Sequence, residues 1–267
     1  MKMPTRPRLV LVKACLNGPR SRAEHVRVPF TPAQIARDAK EVVKAGAAAI
    51  HLHPRRPDGI ETLAAKACGE AINAVRRVCR VPVGVSTASW IERSSTRKVS
   101  SIDGWKVNPD FASVNLNEEG WRDVCKALIR RGVWVEAGLW TISDARSLVS
   151  SGLVNGCVRA LVEITEKRPG QAVSLANQMD EVLRRARIEP PILHHGYGQT
   201  TWKVLENALV LGRDIRVGLE DTLYLADGRL ARGNAQLVEA AVRMVHRRGL
   251  LALGLDSPAK TSRGQGR

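Results

Sequence analysis

The sequence predicts a (β/α)8 barrel built from one parallel eight-stranded sheet. Three observations predict it. Short β-branched runs alternate with longer segments of helical period eight times across the 267 residues, the pattern of a parallel sheet with right-handed crossovers. No stretch has the composition of an interdomain linker. Unusual polar residues gather where the predicted strands end, which is where barrels of this class place their chemistry. An open doubly wound sheet is the alternative, but no GxGxxG turn follows any predicted strand.

The elements follow in order. The first strand, 9–14 (LVLVKA), runs into Asn17-Gly18-Pro19-Arg20. Thr31-Pro32 sets a capping residue before a first-turn proline, opening a helix over 32–45 that Gly46 stops. The second strand, 48–53 (AAIHLH), ends in His51-Leu52-His53 and leads to a helix over 64–79. The third, 82–86 (PVGVS), ends in Ser86-Thr87, and the interval 87–110 offers only a short helix around 100–106. The fourth, 111–115 (FASVN), carries Ser113 and Asn115, with Asn117 and Glu118 in its loop and a helix over 118–130. Arg131-Gly132 is a basic last turn followed by glycine.

The fifth strand, 133–137 (VWVEA), holds Glu136 inside an apolar run, and a helix follows over 142–151. The sixth, 158–163 (VRALVE), precedes a helix over 171–187. The seventh, 191–194 (PILH), ends in His194-His195-Gly196-Tyr197-Gly198, before a helix over 201–211. The eighth, 214–218 (DIRVG), carries Arg216 and leads to Glu220-Asp221, and a helix over 234–248 closes the chain at Gly249. The barrel domain is thus expected over 9–253, between disordered basic tails at 1–8 and 254–267.

Composition narrows the function. No apolar run reaches the roughly 20 residues that span a bilayer, and the short apolar segment after the basic start is too brief for an export signal, so a cytoplasmic protein is expected. The five cysteines are widely spaced without a CxxC pair, so neither a disulfide framework nor a cysteine zinc knuckle is expected. The formal charge of +16 raises nucleic-acid binding, which works through phosphate neutralisation. Residues 1–8 and 259–267 contribute six positive charges and no negative ones, leaving +10 on the body. The body cations are scattered rather than gathered on one element, and two Phe and two Tyr give little base-stacking surface. No nucleic-acid partner is expected.

The strongest chemical signal is His51-x-His53. Residues i and i+2 of a strand face the same side, so the two imidazoles converge on one point. In a closed barrel the eighth strand neighbours the first, which brings Glu220 within reach of the second-strand histidines. Two imidazoles and a carboxylate with an open position form a zinc site.

The blocks Ala14-Cys15-Leu16-Asn17-Gly18, Pro29-Phe30-Thr31-Pro32, Ala45 to His53, Ser86-Thr87, Arg216 to Leu225 and Asn234 to Glu239 resemble the β-keto acid cleavage enzymes, in order and from about residue 9 to 248. The resemblance implies a zinc-dependent barrel, usually a homotetramer, that condenses a β-keto acid with acetyl-CoA and releases acetoacetate and a new acyl-CoA. By position it implies zinc ligation by His51, His53 and Glu220. It implies a base-activating role for Arg216 oriented by Asp221, substrate contact by Ser86, and an acidic pocket residue at Glu136. Thr87 and Asn115, at neighbouring strand ends, join the expected substrate-binding set.

The sequence also departs from the family. Arg20 stands where its best-known members carry an acid for a substrate ammonium, which predicts a neutral or anionic keto acid here. Asn117-Glu118 replaces a small-residue pair, with Glu118 read as a solvated helix start, and His194-His195 replaces a glycine-rich turn. An amidohydrolase-type barrel, the alternative enzyme, would put HxH on its first strand, histidines on the fifth and sixth and an aspartate on the eighth; here HxH is on the second strand, the fifth offers Glu136 and the sixth offers no histidine.

Overall fold

The strand β2 (Val12–Cys15) is the seam at which the sheet closes, pairing in parallel with β3 (Ala49–Leu52) on one side and β9 (Asp214–Val217) on the other. In the computed structural model, which describes residues 8–256, the closed order continues through four more elements. They are β4 (Val83–Ser86), β5 (Phe111–Asn115), β6 (Trp134–Leu139) and β7 (Cys157–Ile164), followed by β8 (Ile192–Gly196). Every pairing is parallel. The eight-stranded barrel predicted from alternation is therefore the fold. A short strand β1 (Leu9–Val10) pairs outside the barrel with β10 (Leu251–Ala252).

Eight helices follow the strands: α1 (Pro32–Lys44), α2 (Ala65–Arg76), α3 (Ser95–Asp103), α4 (Trp121–Arg130), α5 (Ile142–Ser150), α6 (Pro169–Arg185), α7 (Thr201–Val210) and α8 (Asn234–Arg247). A last turn, α9, covers Leu253–Asp256. At α1, Thr31 and Gln34 form a reciprocal capping box.

Alternate strand residues face outward and build the core against the helices. Val12, Ala14, Ile50, Leu52, Val83, Val85, Val135, Ala137, Ile215 and Val217 are fully buried there with Ile35, Ile72, Leu128 and Leu205. The intervening residues point into the barrel, and their registers align them in layers. Lys13 lies beside Arg216, Ser86 beside Ser113, Ser113 beside Glu136, and Glu136 beside Arg159.

Four expectations are corrected. The run 9–14 is two strands, because Leu11 leaves the ladder of β1 and gives its N–H to Asp214 Oδ1 at 2.9 Å. The helix expected near 100–106 is α3 at 95–103, started by Ser94, whose hydroxyl accepts from Arg97 N. The helix after the fourth barrel strand begins at Trp121 rather than 118, after the left-handed Gly120 (φ +70°). Arg8 and residues 254–256 were assigned to tails. Instead Arg8 accepts from Leu251 N at 3.0 Å, and 254–256 belong to α9. The rest of the two tails lies outside the described residues.

Candidate metal centre and active site

At the carboxyl end of β3, His51 and His53 point inward and turn their Nε2 atoms toward each other across 3.1 Å. Glu220, from the loop after β9, reaches over the end of β2 to meet them. Its carboxylate lies 3.8 Å from His51 Nε2 and 3.5 Å from His53 Nε2. The three side chains are buried and form the cluster of metal-ligating type found among the described residues, with all ligand atoms within 4.8 Å of one another.

The donor set and its spacing suit a small divalent cation. Bonds of about 2.0–2.1 Å set tetrahedral donors about 3.3 Å apart; the two imidazole nitrogens lie 3.1 Å apart, and the carboxylate approaches them through Oε2 on the His51 side and Oε1 on the His53 side. Two imidazole nitrogens facing each other need a proton or a cation between them. Glu220 Oε2 is buried with no hydrogen-bond donor, as a ligand oxygen would be. Burial keeps His51 neutral, with its pKa well below the usual imidazole value. Burial also works against charge on His53, but the Glu220 and Glu61 carboxylates overcome it and hold its pKa at about 9; a bound metal displaces that proton.

The ligands are held from behind. Asn17 accepts from His53 N at 2.9 Å and donates to His53 O at 2.9 Å and to Pro29 O at 3.1 Å. Glu61 hydrogen-bonds His53 Nδ1, the carboxylate–histidine arrangement that orients metal-bound imidazoles. Gly18 sits at φ +51°, and a β-carbon there would fall 2.3 Å from Glu220 Cγ. Gly218 is equally constrained, since a β-carbon would fall 1.9 Å from Cys15 O.

Beside the cluster, Arg216 grips Asp221 at two points, Nε to Oδ2 at 3.1 Å and Nη2 to Oδ1 at 2.8 Å, and donates to Glu220 Oε1 at 2.5 Å. Burial disfavours its charge, but Asp221 and Glu220 more than restore it, so its pKa lies well above the ordinary guanidinium value. Burial also opposes charge on Glu220 and Asp221, and Arg216 holds both carboxyls below their usual range. Cys15 donates its thiol to Asp221 Oδ2 at 2.7 Å; burial, then the Asp221 charge, push that thiol well above its usual pKa. His195 lies 3.3 Å from Asp221 and 3.5 Å from Glu163.

Arg216, Glu220, Asp221 and His195 open onto a cavity of 490 Å³ whose wall includes Pro19, Trp90, Trp140, Glu163, Lys167 and Tyr197. The other expected site residues are placed differently. Ser86 sits on the inner layer with its hydroxyl accepting from Ala88 N, Thr87 donates to Ser113 O, and Asn115 donates to Glu118. None of the three lines this cavity. Arg20 does not either: it pairs with Glu24 at 2.7 Å and lies over the Tyr197 ring at 4.9 Å, facing a neighbouring groove. The charge at position 20 therefore borders this cavity through the Tyr197 ring and does not line it.

Glu136 does not line this cavity either. It is fully buried inside the barrel, bound by Lys13 Nζ at 2.5 Å and by Arg159. Burial opposes its charge, yet the two cations hold its pKa down to about 2, so it stands as a carboxylate between Lys13 and Arg159. Glu118 is not a solvated helix start. It accepts from Lys98 Nζ at 2.5 Å, Ser89 N at 2.9 Å and Asn115 Nδ2 at 2.9 Å, tying down the segment that leads to Trp90. His194 faces away from His195, toward Asp180 at 3.0 Å.

Glu61, Glu163, Trp90, Trp140 and Tyr197 were not singled out from sequence. Glu163 offered a usable signal, an acid at the end of the sixth predicted strand. The tryptophans gave none, because loop conformation alone brings them together. The fifth and sixth barrel strands, β6 and β7, supply no histidine, so the amidohydrolase arrangement is absent among the described residues. No helix among these residues is long and apolar enough to cross a membrane, and the four described buried or half-buried cysteines besides Cys15 are free thiols, as Cys15 is.

The sequence model of the beta-keto acid cleavage enzymes matches residues 9–256. The chain is 26% identical over 264 residues to a 3-keto-5-aminohexanoate cleavage enzyme from Fusobacterium nucleatum, covering 90% of this chain and 92% of that one. It is 26% identical over 272 residues to a 3-dehydrocarnitine:acetyl-CoA trimethylamine transferase from Rhizobium meliloti, covering 88% of each. Among solved structures, a ternary complex of ObcA with a C4-CoA adduct and oxalate superposes with a TM-score of 0.70 at 20% identity over 84% of this chain, which spans 65% of the ObcA chain. A type I 3-dehydroquinate dehydratase from Clostridium difficile gives 0.62 at 13% identity, over 90% of this chain and 94% of that one. The structural likenesses show the shared barrel. With the family match running from the first strand to the last helical turn, over a site that gathers His51, His53, Glu220, Arg216 and Asp221, the chain belongs to the β-keto acid cleavage enzyme family.

Proposed function

We propose that the protein is a zinc-dependent enzyme that condenses a β-keto acid with acetyl-CoA and releases acetoacetate and a new acyl-CoA. The observation that carries this reading is the convergence of His51, His53 and Glu220 beside the Arg216–Asp221 fork. In the overall exchange, the CH2–COO⁻ unit of the keto acid leaves its acyl group and joins the acetyl group. The acyl group takes over the CoA sulfur, so atoms and charge balance.

A divalent cation held by His51, His53 and Glu220 supplies Lewis-acid polarisation of a keto group and offsets enolate charge. Arg216 is too basic to take part as a neutral base; it acts as a fixed positive clamp beside the reacting carbon, or through a water it orients. Asp221 sets that clamp by its two-point contact, with Cys15 and His195 fixing Asp221 in turn. His195 is the imidazole of the cavity, and it stands between Asp221 at 3.3 Å and Glu163 at 3.5 Å. The family resemblance further supports a cytoplasmic homotetramer, which light scattering on the purified protein tests.

The decisive experiment incubates zinc-loaded protein with acetyl-CoA carrying labelled acetyl carbons and a panel of β-keto acids. The label is expected in acetoacetate, with an unlabelled new CoA thioester formed in equal amount. Hydrolysis of acetyl-CoA without that thioester, or no turnover across the panel, overturns the reading.

A further inference from the structure

One buried ion pair of the barrel mouth has no part in the proposed chemistry. Lys98 belongs to α3 and Glu118 to the loop after β5, and they meet at 2.5 Å with side chains 2% and 11% exposed. The buried residues of α3 are Lys98 and Ile102, so a charged side chain is one of the two that seat this helix. The loop also packs on the start of α3: at Gly120 a β-carbon would fall 2.4 Å from Ser95 Cβ. Glu118 belongs to the pair of residues at which this chain departs from the family pattern.

Stability does not account for the pair. Two buried charges recover little beyond the cost of stripping their water, and apolar residues of similar volume often serve as well or better. What the pair supplies is direction. Lys98 Nζ donates to Ser89 Oγ at 3.0 Å, while Glu118 Oε1 accepts from Ser89 N at 2.9 Å and from Asn115 Nδ2 at 2.9 Å. Ser89 is thus held at both its backbone and its side chain, by two elements that are themselves locked together. It is the second residue of a turn closed by Ile91 N donating to Ala88 O at 3.0 Å, and the third is Trp90.

The Trp90 ring lies 16° from parallel with His53, with 6.4 Å between centroids. Trp90 is 49% exposed and His53 1% exposed, so the indole stands on the solvent side of the imidazole. A ring carried on a surface turn keeps one place only if its backbone does, because untied loops move on the nanosecond to microsecond scale. We propose that Lys98 and Glu118 are positioning residues that act through Ser89 to hold Trp90 as a cover over His53, and that this cover slows exchange of the metal with solvent. The inference rests on the reading of His51, His53 and Glu220 as metal ligands. Neither Lys98 nor Glu118 is in that cluster, so their effect passes through the turn.

The test follows zinc loss from the loaded protein to an excess of a chromogenic chelator by stopped flow. Glu118→Gln is expected to release zinc about tenfold faster than the parent, the lower end of what disturbing a ligand's support costs. Trp90→Ala is expected to match it. In the Trp90→Ala background, adding Glu118→Gln is expected to change nothing further, because the cover is already gone. An effect of the same size in both backgrounds overturns the proposal, since a general loosening of the barrel would persist without the indole. Unchanged release in Glu118→Gln overturns it too. Should one charge left buried prevent folding, Lys98→Met combined with Glu118→Leu removes both; this variant is expected to fold and to release zinc as fast as Trp90→Ala, and parent-like release counts against the proposal. A parent that takes up no zinc sinks the metal reading, and positioning is then read without metal. The emission of Trp90, taken as parent minus Trp90→Phe, is expected to move to longer wavelength in Glu118→Gln; an unmoved emission overturns the positioning role as well.

Discussion

Gly18 lies so close to Glu220 that the metal-ligand carboxylate occupies the volume a side chain at position 18 would need. The hypothetical β-carbon falls 2.3 Å from Cγ and 2.9 Å from Cδ of Glu220, on a backbone at φ +51°. The loop after β2 is therefore shaped by the ligand arriving from β9, and both penalties of a larger residue act at one point: strain in the left-handed region and displacement of the carboxylate.

Gly18→Ala is accordingly expected to weaken zinc binding by about 10- to 100-fold, the usual cost of disturbing the support of a metal ligand. The barrel should stay folded, because the contact lies above the core. Competition with a chromogenic chelator measures it. Unchanged zinc affinity would show that Glu220 is not a ligand.

His51→Ala is expected to abolish most zinc binding while keeping the circular dichroism spectrum of the parent. His51 gives its Nε2 to the cluster, and its Nδ1 has no hydrogen-bond partner to lose. Elemental analysis of the purified variant reads the outcome. Full zinc occupancy would mean that the site is misassigned.

Arg216→Lys is expected to lower kcat by about 100-fold or more, the scale of losing an aimed charge in an active site, with zinc content retained. Lysine cannot hold Asp221 at two points while also donating to Glu220. Near-normal turnover would move the proton-handling role to His195.

Glu136→Gln separates a counter-ion from a catalyst. Removing the charge leaves Lys13 and Arg159 uncompensated inside the barrel, a loss of about 3–5 kcal/mol for breaking a buried pair from one side. The Glu136 pKa is depressed to about 2, so its stabilising contribution is present above its unfolded value near 4.5 and is lost as pH falls through about 2. Urea unfolding should show a constant gap between parent and variant from about pH 5 to 7, narrowing below about pH 4. A variant as stable as the parent, but inactive, would return Glu136 to the catalytic set.

Much of the barrel was legible in the chain because its signals are local. Strand–helix alternation, the Thr31-Pro32 start and the glycine stops are all properties of neighbouring residues. The errors at Leu11, Ser94 and Trp121 fall at boundaries, where one tertiary hydrogen bond or a left-handed glycine decides which residue belongs to an element. The convergence of His51 and His53 was legible for the same reason, since strand periodicity fixes the facing of residues two apart. Their meeting with Glu220 followed once the sheet was closed.

What sequence could not decide was which partner each charged side chain takes, because partners come from strands and loops far apart in the chain. Glu136 and Glu163 both sit near strand ends, but register places Glu136 one layer down between Lys13 and Arg159, and Glu163 up beside His195. Arg20 and Glu118 were read by their charge, yet Glu24 and the Tyr197 ring hold the first at the edge of the cavity, and Lys98 draws the second inward. The sequence by itself determined the barrel and the facing of the histidine pair, through interactions that repeat every two or 3.6 residues. The tertiary structure decided the counter-ions, the aromatic wall and the charge of the cavity, because a buried charge goes to the nearest opposite charge in space, and that distance is set only when the sheet closes.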